Sequence, residues 1–134
     1  MRTSVPQYSA GPIVFPFRAL AAYAGRAPLG RGREVALACL MAARLAHPAL
    51  GRVPVPAPAR AARAAGASRW FSSLALPAAL RAPLARVAAA SAGDAPREIA
   101  EALTALIAAA RKQLDEPSLA ELEGIAGQLG APSD

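Results

Sequence analysis

The chain has 134 residues, of which 54% are hydrophobic and only 4% aromatic, and its net charge is +6. Alanine dominates the hydrophobic residues while β-branched residues are sparse, so the composition excludes a strand-rich fold and predicts one small all-α domain of four to five helices. Because each alanine buries little apolar area, we expect a thin core, which favours dependence on a partner.

The charges are divided unevenly along the chain. Residues 1–92 contain twelve arginines and one acidic residue, Glu34, for a net charge of +11, whereas residues 93–134 contain three basic and eight acidic residues, for a net charge of −5. This division allows two interpretations. Either the acidic part folds back and neutralises the basic body, or the basic body faces an anionic partner.

Residues 1–31 are predicted to form an extended arm rich in proline and arginine, because four prolines interrupt any long helix there. The arm contains an apolar and aromatic stretch from Ile13 to Tyr23. Its larger side chains are candidates for partner contact: Phe15, Phe17, Arg18 and Tyr23.

The same stretch bears on the location of the protein. It is too short and too charged to span a membrane, and it lacks the uninterrupted apolar core of a signal peptide. We therefore expect a cytoplasmic protein or one that is peripheral to a membrane. A transit peptide shares the arginine-rich, acid-free character, although such segments are usually also rich in serine, and this alternative stays open.

Residues 32–92 are predicted to form a basic helical body. Its first helix covers residues 32–46 and ends at His47 and Pro48, because a residue that precedes proline is disfavoured in the helical conformation. Cys39 lies in an apolar run, and we expect it to be a buried small hydrophobe. His47 is the only histidine, so no zinc ligand set exists, and we interpret it as a helix-end cation or cap.

A proline-rich connector is predicted at residues 53–58, where alternating prolines favour a polyproline spacer or an extended surface arm. Arg60, Arg63 and Arg69 follow it, and together with Arg52 they form the densest basic patch of the sequence. Phosphate binding requires such a patch, but the interleaved aromatic residues of single-strand binders are missing.

The rest of the body contains the only tryptophan, Trp70, which next to Phe71 is either a core anchor or an interface residue. Ser68 is predicted to cap a short helix there. Pro77 and Pro83 are each predicted to begin a further short helix.

Residues 94–130 are predicted to form an acidic antiparallel helical hairpin. Asp94 or Ala95 would cap its first helix, and two apolar stripes with helical spacing run along the two helices. Ser118 and Glu121 have the spacing of a capping box that would start the second helix, and Gly130 is placed to end it in a left-handed conformation.

No phosphate loop, zinc motif, calcium loop or catalytic serine motif occurs, so we expect a non-catalytic protein without cofactor, metal or small-molecule substrate. The favoured function is an accessory or scaffolding subunit that docks on a larger protein assembly. One alternative is peripheral binding to anionic lipid through the N-terminal apolar and arginine segment. A third is nucleic-acid binding through the arginine patch. The full set of expected partner-binding residues is Phe15, Phe17, Arg18, Tyr23, Arg60, Arg63, Arg69 and Trp70.

Overall fold

The computed structural model describes residues 17–27, 30–51, 55–93 and 95–130, with only the backbone of Arg31. Within these ranges the chain forms six α-helices and no strand, which confirms the all-α prediction but exceeds the expected four to five helices. A 3₁₀ turn, His47–Leu50, follows the second helix. The α-helices are α1 Arg18–Arg26, α2 Arg31–Ala46, α3 Ala57–Ser73, α4 Ala78–Ala92, α5 Pro96–Ala110 and α6 Glu116–Gly130.

Helix α1 accounts for the additional element, and it corrects the prediction that residues 1–31 are extended. Residues 18–26 are helical, and Leu20 and Ala24, four positions apart, are both buried. Pro16 and Pro28 lie on either side of this window rather than inside it, so the chain between them is free to form a helix. Residues 1–16 lie outside the described part of the chain.

The proline-rich connector is shorter than the predicted span of residues 53–58. Val55 and Pro56 precede α3, but Ala57 and Pro58 belong to its first turn, while residues 52–54 lie outside the described ranges. Proline is compatible with this position because the first amides of a helix have no partner within the helix.

Two predicted helix starts are wrong. Helix α3 runs without interruption through Ser68, whose predicted cap therefore does not exist, and Pro83 lies inside α4. Proline in a helix removes one backbone hydrogen bond and crowds the preceding turn. The burial of Leu80, Leu84 and Val87 compensates this cost, because it holds both sides of Pro83 against the core.

Helix α2 lies at the centre of the fold. It packs against α1, α3, α4, α5 and α6, and consecutive helices also pack on one another. Most of its buried residues are alanines, whose short side chains let the other helices approach closely. The larger core side chains come from the surrounding helices, including Leu84, Leu103, Leu106 and Leu122. The N-cap residue of α2 is Gly30, whose φ of +92° favours glycine.

The predicted capping box at the start of α6 is wrong. Helix α6 starts at Glu116, and the Asp115 carboxylate accepts the backbone N–H of Ser118 at 3.1 Å. The side chains of Ser118 and Glu121 instead bind backbone groups of α1. The Ser118 side chain is fully buried, and its hydroxyl donates to the Ala19 carbonyl at 3.4 Å. Gly130 still belongs to α6 and is not left-handed, which corrects a further expectation.

Glu121 caps the N-terminus of α1 from across the molecule. Its two carboxylate oxygens accept the backbone N–H groups of Ala19 and Leu20 at 2.7 and 2.8 Å. The α1 N-cap residue, Phe17, makes no side-chain cap bond of its own. Two first-turn amides that lack intrahelical acceptors are therefore satisfied by a charged group from α6.

The C-terminus of α1 is held by a positively charged side chain. The Arg33 guanidinium, from α2, donates to the carbonyls of Gly25 and Ala27 at 3.1 and 3.0 Å. Arg26 forms an ion pair with Asp115. A helix of nine residues is marginal in water by itself, so these contacts and the burial of Leu20 stabilise it.

We predict that Glu121→Gln lowers the free energy of unfolding by about 1–3 kcal/mol, because an amide has one acceptor oxygen and no charge for the two amides of α1. The measurement is urea denaturation. Glu123→Gln is the control, since it removes the same charge from the same helix but breaks only an exposed pair with Arg111. That variant should lose no more than about 1 kcal/mol. Equal losses in the two variants would contradict the capping role.

A second prediction concerns acid stability. Hydrogen bonding from Ser118 lowers the pKa of the Asp115 carboxyl, partial desolvation opposes this, and the positive charge of Arg26 lowers the pKa further. Since the folded pKa lies below the unfolded value, the ionised carboxylate stabilises the fold above that value, and the contribution is lost as the pH falls through the folded pKa.

The wild type should therefore be more stable than Asp115→Asn near neutral pH, and the difference should shrink as the pH falls from about 5 toward about 2. Asparagine also caps helices well, so this variant isolates the charge. Denaturation of both proteins at a series of pH values from neutral to acid measures this difference in stability. A difference that does not change with pH would refute the assignment.

Candidate functional site

Two of the three aromatic residues that were expected to contact a partner from the N-terminal segment make contacts within the protein itself. Phe17 is only 9% exposed, and its ring meets that of His47 edge-on at 5.5 Å. Tyr23 is half-buried, and its hydroxyl donates to the Gln113 carbonyl at 2.8 Å. The structure therefore places Phe17 in the core rather than on the surface that partner contact requires. Phe15 lies outside the described residues.

Arg18 and Trp70 are more accessible than Phe17. Arg18 is exposed at the first position of α1 and takes part in an interaction of its own. Trp70 is half-buried, with its ring 5.7 Å from that of the buried Phe71. Its indole N–H has no hydrogen-bond partner among the described residues. A half-buried indole with an unused donor is suited to an interface.

Helices α3 and α4 carry a basic surface, which we call the basic face. It is defined by four exposed arginines, and the other exposed positions of the two helices are alanine, serine or proline. No acidic residue occurs from Val35 to Gly93 in the sequence. The four arginines are Arg63, Arg69, Arg81 and Arg86.

None of these four guanidinium groups is paired with a carboxylate within the described residues. Arg63 donates to the Arg44 carbonyl at 3.4 Å, and Arg81 donates to the Leu74 carbonyl at 2.9 Å. Arg69 and Arg86 make no hydrogen bond or ion pair in the described part of the chain. The basic face thus retains its positive charge in the folded protein.

The contacts that the acidic residues make involve none of the four arginines of the basic face. The Glu34 carboxylate accepts the backbone N–H of Ala75, and Glu121 caps α1. Asp115 pairs with Arg26. Glu123 pairs with Arg111, which follows α5. Among the described residues, no acidic side chain therefore pairs with an arginine of α3 or α4.

A cleft of about 170 Å³ lies beside the start of α3. One part of its lining is apolar and includes Leu45 and Ile99, while Arg60, Arg63 and Ser91 supply polar groups. The sequence indicated Arg60 and Arg63 as a pair one helical turn apart. Ser91 was missed, because its place in the cleft depends on how α4 packs.

The chemistry of the remaining candidate residues is limited. Burial raises the pKa of the Cys39 thiol to about 12, which confirms the interpretation of a buried hydrophobe. Burial lowers the pKa of His47, which disfavours the expected cation, and the residue occupies the C-cap position of α2. No group of potential metal ligands occurs within the described ranges.

No helix in the described part of the chain has the length and hydropathy needed to cross a membrane. Comparison of the chain with protein-family models, with curated proteins and with solved structures found no match.

We predict that native protein does not react with a disulfide reagent at about pH 8, because the thiolate is the reactive form and burial disfavours it. Cys39 is the only cysteine, so one equivalent should react after unfolding in urea. Absorbance of the released thiolate measures both states. Fast stoichiometric reaction of the native protein would show that Cys39 is accessible.

Proposed function

We propose that the protein is a non-catalytic accessory or scaffolding subunit that docks on a larger protein assembly through its basic face. The observation that carries the proposal is the absence of any partner for Arg69 and Arg86 among the described residues, while Glu34, Asp115, Glu121 and Glu123 are engaged elsewhere. Arginine forms bidentate hydrogen bonds with carboxylates, so the partner surface should be acidic.

The shape of the basic face also suits a protein partner. Between the arginines lie mostly alanines, which let a second backbone approach closely. Trp70 lies next to Arg69 on α3 and supplies an indole donor, and tryptophan with arginine is enriched among residues that dominate binding energy. Arg69 and Trp70 are in this proposal the central contacts.

The proposed roles of the other segments follow the sequence interpretation. Residues 94–130 act as an acidic antiparallel hairpin that is kept away from the partner. In support, a Cβ at Gly130 would lie 3.4 Å from the Ala100 Cβ, which brings the end of α6 to the early part of α5. Residues near Val55 serve as the connector that leads into α3. The protein acts in the cytoplasm or at the periphery of a membrane.

Two alternatives use the same positive charge. Anionic lipid would also be attracted to the basic face. This alternative requires apolar side chains of the N-terminal segment to insert into the membrane, but Phe17 and Leu20 are buried in the protein. Nucleic acid would contact Arg60, Arg63 and Arg69. In the described part of the chain, no series of aromatic side chains accompanies these arginines, so stacking of bases has little support.

The test is capture of partners from a lysate of the source organism by the tagged full chain. The docking variant is Arg69→Gln with Arg86→Gln. The control is Arg97→Gln with Lys112→Gln, which removes the same charge from exposed positions on or just after α5 that also have no partner in the described structure. Wild type and control should retain the same stoichiometric protein at moderate salt, and the docking variant should lose it at least about tenfold.

Binding to anionic vesicles or nucleic acid alone, lost steeply as salt rises, would contradict the proposal and favour one of the alternatives. Equal capture by the docking variant and the control would also contradict it. In that case the retained protein does not contact the basic face.

A further inference from the structure

We propose that the cleft beside α3, which we call the arginine cleft, binds a carboxylate that is attached to a short apolar group. The cleft shares Arg63 with the basic face, but Arg69 and Arg86, whose unpaired guanidinium groups carry the docking proposal, do not line it. It rests on three features of the lining: a surplus of guanidinium donors, an unpartnered buried hydroxyl, and an apolar wall.

The guanidinium groups have unused hydrogen-bond donors. Arg60 is half-buried and donates to the carbonyls of Ala92 and Val55, while Arg63 donates to the Arg44 carbonyl. These bonds use two of five N–H donors on Arg60 and one of five on Arg63. Among the described residues, no carboxylate belongs to the lining. Two adjacent cations, of which Arg60 is half-buried, attract an anion more strongly than a single exposed cation does.

Ser91 provides the second feature. Its side chain is 7% exposed, and its Oγ atom is buried without a hydrogen-bond partner in the described structure. A buried hydroxyl without a partner is unfavourable, so most buried polar groups in proteins are satisfied. A ligand oxygen bound between the arginines and α4 would supply the missing partner.

The apolar wall determines the kind of anion. Leu45, Val55 and Ile99 give the cleft an apolar part beside its polar groups, and this apolar surface would gain nothing from a bare phosphate ion. A branched aliphatic group attached to a carboxylate would cover it. The volume of about 170 Å³ is small compared with the roughly 300–1,000 Å³ of sites for cofactors and drug-sized ligands, so the ligand is small.

Two sources present this chemistry: a free short-chain carboxylic acid, and the C-terminal residue of a polypeptide that ends in an aliphatic side chain. Both place one carboxylate beside one apolar group. The test therefore uses isovalerate for the first source and a short peptide ending in leucine with a free carboxylate for the second. The neutral controls are isovaleramide and the same peptide with a C-terminal amide.

The measurement is a titration of the full chain by NMR, which follows the amide signals of Ser91 and Gly93 and the Nε–H signal of Arg63. We expect saturable shifts with at least one carboxylate, and at least about tenfold weaker binding of its amide. Saturation by isovalerate alone identifies a free acid as the source. Saturation by the leucine peptide at lower concentration identifies a chain terminus.

Three variants test the residues. Arg63→Gln should weaken binding at least about fivefold, and Arg69→Gln, which removes the same charge from α3 outside the cleft, should change it less than about twofold. Ser91→Ala should weaken binding without lowering stability, because it removes a hydroxyl that has no partner. This combination is not expected of a residue that serves only the fold.

Three results would overturn the inference. The first is the absence of saturable binding by both carboxylates. The second is equal binding of inorganic phosphate and isovalerate, since the apolar wall would then contribute nothing. The third is an equal loss of affinity in Arg63→Gln and Arg69→Gln, which would indicate general attraction to a basic surface.

Discussion

The position of α1 depends on one carboxylate. Glu121, in the second turn of α6, accepts two backbone N–H groups at the start of α1, about one hundred residues earlier in the chain. An unsatisfied amide in a buried helix end is costly, and the helix dipole makes a negative charge favourable there. The contact joins α1 to α6, the first and last described helices. Helix α2 packs against these two helices and against α3, α4 and α5.

This use of Glu121 has a consequence for the charge of the whole protein. The acidic residues that make contacts support α1, α6 and the segment before α4, and none of the described contacts reaches an arginine of α3 or α4. A basic surface whose arginines pair with no described carboxylate is therefore a product of the fold as much as of the composition. The docking proposal and the arginine cleft both derive from this separation, at different positions along α3.

The sequence was informative where periodicity and local chemistry decide the structure. Helix α2 begins within one residue of its predicted start, and the predicted apolar stripes of α5 and α6, such as Leu103 and Leu122, are buried. Cys39 is buried as expected. These features follow from burial of one helical face, which adjacent residues encode together.

The failures involve contacts between distant segments. Ser118 and Glu121 match a local capping motif, but their polar groups bind α1, and nothing in the local sequence distinguishes the two uses. Phe17 resembled an interface residue, yet an alanine-rich core needs its few large side chains. Pro83 predicted a helix start, but tertiary packing of α4 outweighs its local preference.

The candidate site was predictable only in part, for the same reason. Arg60 and Arg63 are neighbours on one helix, so their pairing is visible in the sequence. Ser91 and Ile99 lie on other segments of the chain, and only the packing of α4 against both α3 and α5 brings them to the same cleft. A binding surface assembled from several helices leaves no continuous pattern in the sequence.

Hydrogen exchange of the amides of Ala19 and Leu20 tests the central claim most directly. First-turn amides of a helix normally exchange fast because they have no intrahelical acceptor. The account predicts that both are protected in the wild type, and that protection is lost when Glu121 is replaced by glutamine while amides in the middle of α2 keep theirs. Fast exchange of Ala19 and Leu20 in the wild type would contradict the claim that Glu121 holds α1 in place.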